Sequence, residues 1–135
     1  MLQDPIDISI PRTETTTGNK YTDFKVTPDP NLTLEQAGKR RDITINAIYY
    51  NPLTLQIIDP FNGVEDIKNK VIRAVNEKTF IEDPLRVLRV MQFAGRFGFE
   101  VDKQTINLCK QMIKDNMLAL LSKDRVREEF FKICI

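Results

Sequence analysis

Isoleucine alternates with polar residues from Ile6 to Pro11 (IDISIP), the period-two pattern of a half-buried strand whose wet face would carry Asp7 and Ser9. Residues 12–23, RTETTTGNKYTD, are polar and threonine-rich and offer nothing to a core, so they predict a mobile loop. A short strand is expected near Phe24 to Thr27. Thr33 followed by Gln36 then has the spacing of a capping box that opens a short helix ending near Gly38. The β-rich runs Ala47–Tyr50 and Leu55–Ile58 flank Asn51-Pro52-Leu53-Thr54 and predict a hairpin. DPFNG at 59–63 reads as a turn, followed by a helix to Lys70 and a strand at Val71 to Val75.

From Thr79 onward the period becomes helical. Pro84 suits a first turn, and Leu85 to Phe97 runs without a breaker until Gly98. At about 100° per residue, Arg86, Arg89 and Arg96 share one stripe of that helix, with Leu85, Val87, Leu88, Val90, Met91 and Ala94 predicted around the rest. Residues 105–121 predict a second helix broken near Asn116, and Ser122 caps a third, DRVREEFFKICI. The whole is an α+β chain, a small mixed sheet followed by helices.

Composition narrows the chemistry. The 135 residues are 41% hydrophobic and 29% charged, which allows one domain or two small lobes with a modest core. Twenty Lys and Arg stand against 19 Asp and Glu, so any contact with a polyanion must be a local patch. The charge is uneven along the chain: residues 1–70 carry 8 cations and 10 anions, residues 71–135 carry 12 and 9. Without histidine, Ser-His-Asp and Cys-His catalysis are excluded, and acid–base work falls to carboxylates. Cys109 and Cys134 indicate neither a zinc site nor a disulfide framework. No apolar run approaches a membrane span and MLQDPIDISI lacks the regions of a signal peptide, so a cytoplasmic protein without membrane contact is expected.

Four segments, RRDITINA at 40–47, DPFNG at 59–63, EDPLRVLR at 82–89 and RVREE at 125–129, together resemble the class II, bacterial-type tRNA nucleotidyltransferases and poly(A) polymerases, the CCA-adding enzymes among them. DISIPRTE and the polar loop after it are also similar to that family. The resemblance implies template-independent addition of CMP or AMP to RNA 3′ ends, with CTP and ATP as nucleotides, tRNA or another RNA 3′ end as acceptor and Mg2+ in the complete enzyme. It divides the chain into the C-terminal part of a nucleotidyltransferase head at 1–78 and a helical, nucleotide- and RNA-binding neck at 79–135.

The resemblance also assigns residues. Asp83 and Arg86 would face the incoming base. Cytosine and adenine each offer an exocyclic amine beside a ring-nitrogen acceptor, so one carboxylate and one guanidinium complement both. The plainer reading makes Asp83 a helix cap and Arg86 its i+3 ion-pair partner. Arg89 would touch the triphosphate, Arg41 and Asp42 the ribose, and Asn46 would sit near the phosphates. Gln92 stands where the family usually has a further arginine, a role Arg96 could take over. Glu82, Arg125 and Glu129 would support the pocket, the last two at an ordinary i,i+4 spacing.

The family's glycine-rich phosphate loop and Asp-x-Asp pair are absent from these 135 residues. Glu100-Val-Asp102 is the sole acid-x-acid triplet, and it reads as turn chemistry. Asp7 resembles the family's third carboxylate, an accessory metal ligand that cannot replace the missing pair. The expectation is a truncated or split enzyme without the RNA-binding body and tail, whose partner would be a complementing chain carrying the catalytic carboxylates. The rival readings are a poly(A) polymerase and a non-catalytic nucleotide- or RNA-binding module of the same fold.

Overall fold

The structure, a computed structural model, describes residues 8–16 and 24–134. β1 (Arg12–Thr16) runs antiparallel to β2 (Phe24–Pro28), with Arg12 opposite Pro28 and Thr16 opposite Phe24. β3 (Tyr49–Asn51) and β4 (Gln56–Ile58) make the expected hairpin. β5 (Val71–Ile72) lies parallel to β6 (Glu100–Val101), and one bridge joins Ile43 to Ala74. The class is α+β, but the described strands form three separate pairs instead of one small mixed sheet.

Two expectations near the start are corrected. Ile8 to Ile10 are not in a strand, and Ile8 is 95% exposed, because no described strand lies beside them to pair with. Arg12 to Thr16 are not loop but strand: a threonine-rich alternation is also a good β sequence once a partner such as β2 is present. Residues 17–23 of the predicted loop, and Asp7, lie outside the described residues.

The helices follow their caps. Before α1 (Leu34–Gly38), Thr33 Oγ1 accepts from Gln36 N and the Gln36 side chain accepts from Thr33 N, the complete capping box. Ahead of α2 (Gly63–Asn69), the two oxygens of Asp59 accept from Gly63 N and Val64 N, each at 2.8 Å, which is what the Asp of DPFNG does. Asn76 caps α3 (Glu77–Phe80), α4 covers Leu85–Phe97 as predicted, and Asp102 caps α5 (Lys103–Lys114). A left-handed Asn116 makes the expected break, and Ser122 caps α6 (Lys123–Ile133). Glu100-Val-Asp102 is structural: Asp102 also accepts from Arg73 Nη1 at 2.8 Å.

One core crosses the chain. Ile43 and Ile72, before Thr79, pack with Phe80, Val87, Val90 and Met112, after it. Each such side chain removed from water contributes about 1.5–3 kcal/mol, so the helices after Thr79 are tied to the strands before it. The Thr105 hydroxyl reinforces this by accepting from Ala74 N at 2.9 Å. Within α4, Met91 is exposed, although the sequence pattern predicts it among the mostly buried positions, and Gln92 is buried.

Candidate functional site

The KRRD run ends α1 and enters the core at Ile43, so Arg40 to Asp42 are held beside the N-terminal turn of α4. A cavity of about 510 Å³ opens between these elements, the β1–β2 hairpin and α6. Arg41, Asp42, Glu82, Asp83, Arg86, Arg89 and Arg125 all border it, which brings seven of the sequence-predicted residues together. Asn46 and Glu129 stand behind the wall, in contact with residues that line it, and Asp7 lies outside the described residues. Arg96 is exposed on α4 and packs over Phe97 at 5.9 Å, away from the cavity, so it does not replace the arginine missing at Gln92.

Arg12, Val26, Arg40 and Thr79 also border the cavity and were not singled out from the sequence. For Arg40 the signal was the KRR run itself, of which only the second arginine was chosen. Arg12 and Val26 arrive through hairpin pairing, which a loop reading could not supply. Six arginines thus face three carboxylates in the lining, a local positive patch in a chain whose net charge is only +1.

The buried charged groups are held in place. Asp42 is buried; its Oδ1 accepts from Ile43 N at 2.9 Å and from Asn46 Nδ2 at 3.1 Å, and its Oδ2 from Arg89 Nε at 2.6 Å. Arg89 Nη1 reaches Glu129 at 3.7 Å, and its guanidinium lies over the Phe93 ring at 5.2 Å. Glu129, itself buried, accepts from Lys132 at 2.7 Å. This chain of charges joins the KRRD segment, α4 and α6.

Arg86 is 8% exposed, and its plain reading as the partner of Asp83 does not hold. Nη1 donates to the Thr79 carbonyl and Nη2 to the Arg40 carbonyl, the latter at 2.5 Å. Asp83 is the cap predicted for it, with Oδ1 accepting from Leu85 N at 2.8 Å, while its Oδ2 stands 3.7 Å from Arg125 Nη2. One carboxylate oxygen and the remaining guanidinium N–H groups are thereby presented at a fixed spacing on the first turn of α4. Such an edge can hydrogen-bond a planar heterocycle, and the surrounding arginines can bind phosphate oxygens.

A family model described as Poly A polymerase head domain matches residues 3–73, just over half of the chain. The chain belongs to that family. Among curated relatives, it is 43% identical over 127 residues to a multifunctional CCA protein of Methylobacillus flagellatus, covering 93% of this chain and 30% of the relative. It is 41% identical over 129 residues to the multifunctional CCA protein of Aliivibrio salmonicida, covering 93% and 31%. This poly A polymerase head family member therefore spans about a third of the length of the curated relatives it matches. Among solved structures, a CCA-adding enzyme in an apo form superposes with a TM-score of 0.81 at 33% identity, covering 96% of this chain and 30% of that one. A CCA-adding enzyme with ATP gives 0.71 at 30% identity, covering 93% and 33%. One with CTP gives 0.68 at 36% identity, covering 73% and 24%.

Proposed function

We propose that this chain supplies the nucleotide-selecting part of a template-independent nucleotidyltransferase that adds CMP and AMP to RNA 3′ ends, tRNA CCA addition being the reaction. Residues 1–78 would then be part of the head and 79–135 the neck. The observation that carries the reading is that Asp83 and Arg86, each held by other partners, stand within one turn of each other at the border of an arginine-rich cavity. Relatives named multifunctional CCA proteins and structural neighbours named CCA-adding enzymes, two of these with CTP or ATP, support it.

Asp83 Oδ2 accepts from the exocyclic amine of cytosine or adenine, and an Arg86 N–H donates to the adjacent ring nitrogen. Guanine and uracil present the reverse pattern and leave both groups unpaired, at about 1–3 kcal/mol for each buried group. Arg41 and Asp42 face the ribose, Arg89 the triphosphate, and Glu82, Arg125 and Glu129 hold the wall. Nucleotidyl transfer by this class of enzyme employs a divalent ion, Mg2+ in this reading. Among the described residues no group of three or more Asp, Glu, Cys or His side chains comes together to hold one, so these residues bind and select, and no metal step is assigned to them.

Calorimetry with CTP, ATP, GTP and UTP tests the reading. CTP and ATP should bind at least several-fold more tightly than the other two. Asp83→Asn, which keeps the cap to Leu85 but turns an acceptor into a donor, should erase that preference. Equal binding of all four triphosphates by the folded chain would remove the base-reading assignment. A second reading, poly(A) polymerase, is favoured by the description of the matching family model and predicts a marked preference for ATP over CTP.

A further inference from the structure

The helix α5 contributes nothing to the cavity, yet its surface is organised. Thr105 and Met112 are buried at 1% exposure, and they fix which face of the helix meets the core. Lys103, Asn107, Lys110 and Lys114 follow at steps of four, three and four, and all four are exposed. At about 100° per residue they fall within an arc of about 60° opposite Thr105 and Met112, and the row is about 16 Å long. The helix Lys103–Lys114 contains no acidic residue.

Lys39, Lys68 and Lys132 are each paired with a glutamate one turn away, whereas among the described residues Lys103, Lys110 and Lys114, like the scattered Lys70, Lys78 and Lys123, enter no ion pair; what sets the three on α5 apart is that they share one face of one helix. The two flanking carboxylates are engaged elsewhere: Asp102 caps the helix and binds Arg73, and both oxygens of Asp115 accept from Gln111 at 2.9 Å. Lys103 occupies the first turn, where a cation opposes the helix dipole, so its charge does not serve the stability of α5.

We infer that the α5 lysine row is a contact surface for the phosphate backbone of RNA, separate from the nucleotide cavity. Flexible ammonium groups in a row, with an amide among them and no aromatic or apolar side chain in the row, suit phosphates rather than base edges, whose readout needs stacking or planar donors. The inference rests on the reading that the substrate is RNA, and it assigns the row to the body of that RNA instead of its reacting end. Each lysine engaged with a phosphate adds about 0.7–0.9 to the slope of log affinity against log salt.

The test is binding of the full chain to an RNA hairpin with a single-stranded 3′ end, measured from about 50 to 200 mM salt. It compares the unaltered chain with a variant carrying Lys103→Gln, Lys110→Gln and Lys114→Gln. Glutamine keeps helix propensity, and circular dichroism melting checks that the variant is folded. The variant should lose about two units of salt slope and roughly tenfold or more in affinity at the lower salt. Its CTP and ATP affinities should not change. RNA binding that is absent from the unaltered chain, or the same in the folded variant, overturns the inference. A matching loss of binding to poly-glutamate, with RNA binding retained, assigns the row to an acidic protein and overturns it too. Loss of RNA binding through the row in a chain without CTP or ATP preference sustains this inference while removing the base-reading one.

Discussion

Asp42 has three donors and almost no water, which makes it the residue on which the cavity wall turns. Removing it leaves Arg89 with only the distant Glu129 as a carboxylate and orphans Ile43 N at the entrance to the core. Asp42→Ala should cost about 2–4 kcal/mol in chemical denaturation, because the buried Ile43 N–H loses its acceptor and the part-buried Arg89 its nearest carboxylate. Asn46→Ala, which removes one of the two donors to Oδ1, should cost only about 1 kcal/mol. The cysteines separate in the same way. Burial pushes the Cys109 thiol from its ordinary 9.0 up to about 11, whereas Cys134 is exposed. Iodoacetamide at neutral pH should therefore label Cys134 first and Cys109 only on unfolding, as peptide mass spectrometry will show. Since the folded thiol stays neutral where the unfolded one ionises, this residue's contribution to stability is whole below about pH 9 and declines as pH rises toward 11. Labelling of Cys109 at the rate of Cys134 in folded protein would contradict its placement in the packing of α5.

At the scale of elements, local rules carried far and long-range pairing did not. The capping box at Thr33, the turn at DPFNG, the ends of α4 and the break at Asn116 were legible because each is decided within about four residues. β1 was not, since a threonine-rich polar run reads equally as loop or strand until its partner is known. The carbonyl partners of Arg86 lie up to 46 positions away, so nothing near it could reveal them. Gly63 shows what such distant fits demand. A Cβ there would stand 2.4 Å from the Thr44 carbonyl oxygen and 2.9 Å from Ile48, so α2 meets the 44–47 turn by backbone contact. Gly63→Ala should cost about 1–3 kcal/mol in thermal or chemical unfolding, despite alanine's better helix propensity. Thr33→Ala, which removes a local cap alone, should cost about 1 kcal/mol.

For the whole molecule, the core and the charge chain from Asp42 through Arg89 to Glu129 tie the segments before and after Thr79 together, so Asp83, Arg86 and the rest of the cavity wall form one unit. Transfer is another matter. Moving a nucleotidyl group requires ions aligned on both the attacking and leaving oxygens, and residues 1–135 contain no Asp-x-Asp to hold them. The surface carries a related sign: Leu53 on the β3–β4 hairpin is 93% exposed, with Tyr50, Leu55 and Ile57 beside it, an apolar patch beyond isolated surface leucines. The chain should therefore bind CTP and ATP yet incorporate neither when incubated with magnesium, labelled nucleotide and a tRNA lacking its 3′ end. Adding a separately produced polypeptide that contains an Asp-x-Asp segment of a relative should restore incorporation if the two parts assemble, and Asp83→Asn in this chain should then change which nucleotide is added more than how fast. Incorporation by residues 1–135 alone, abolished by Asp7→Ala, would place the metal site within this chain and refute the division between selection here and catalysis elsewhere.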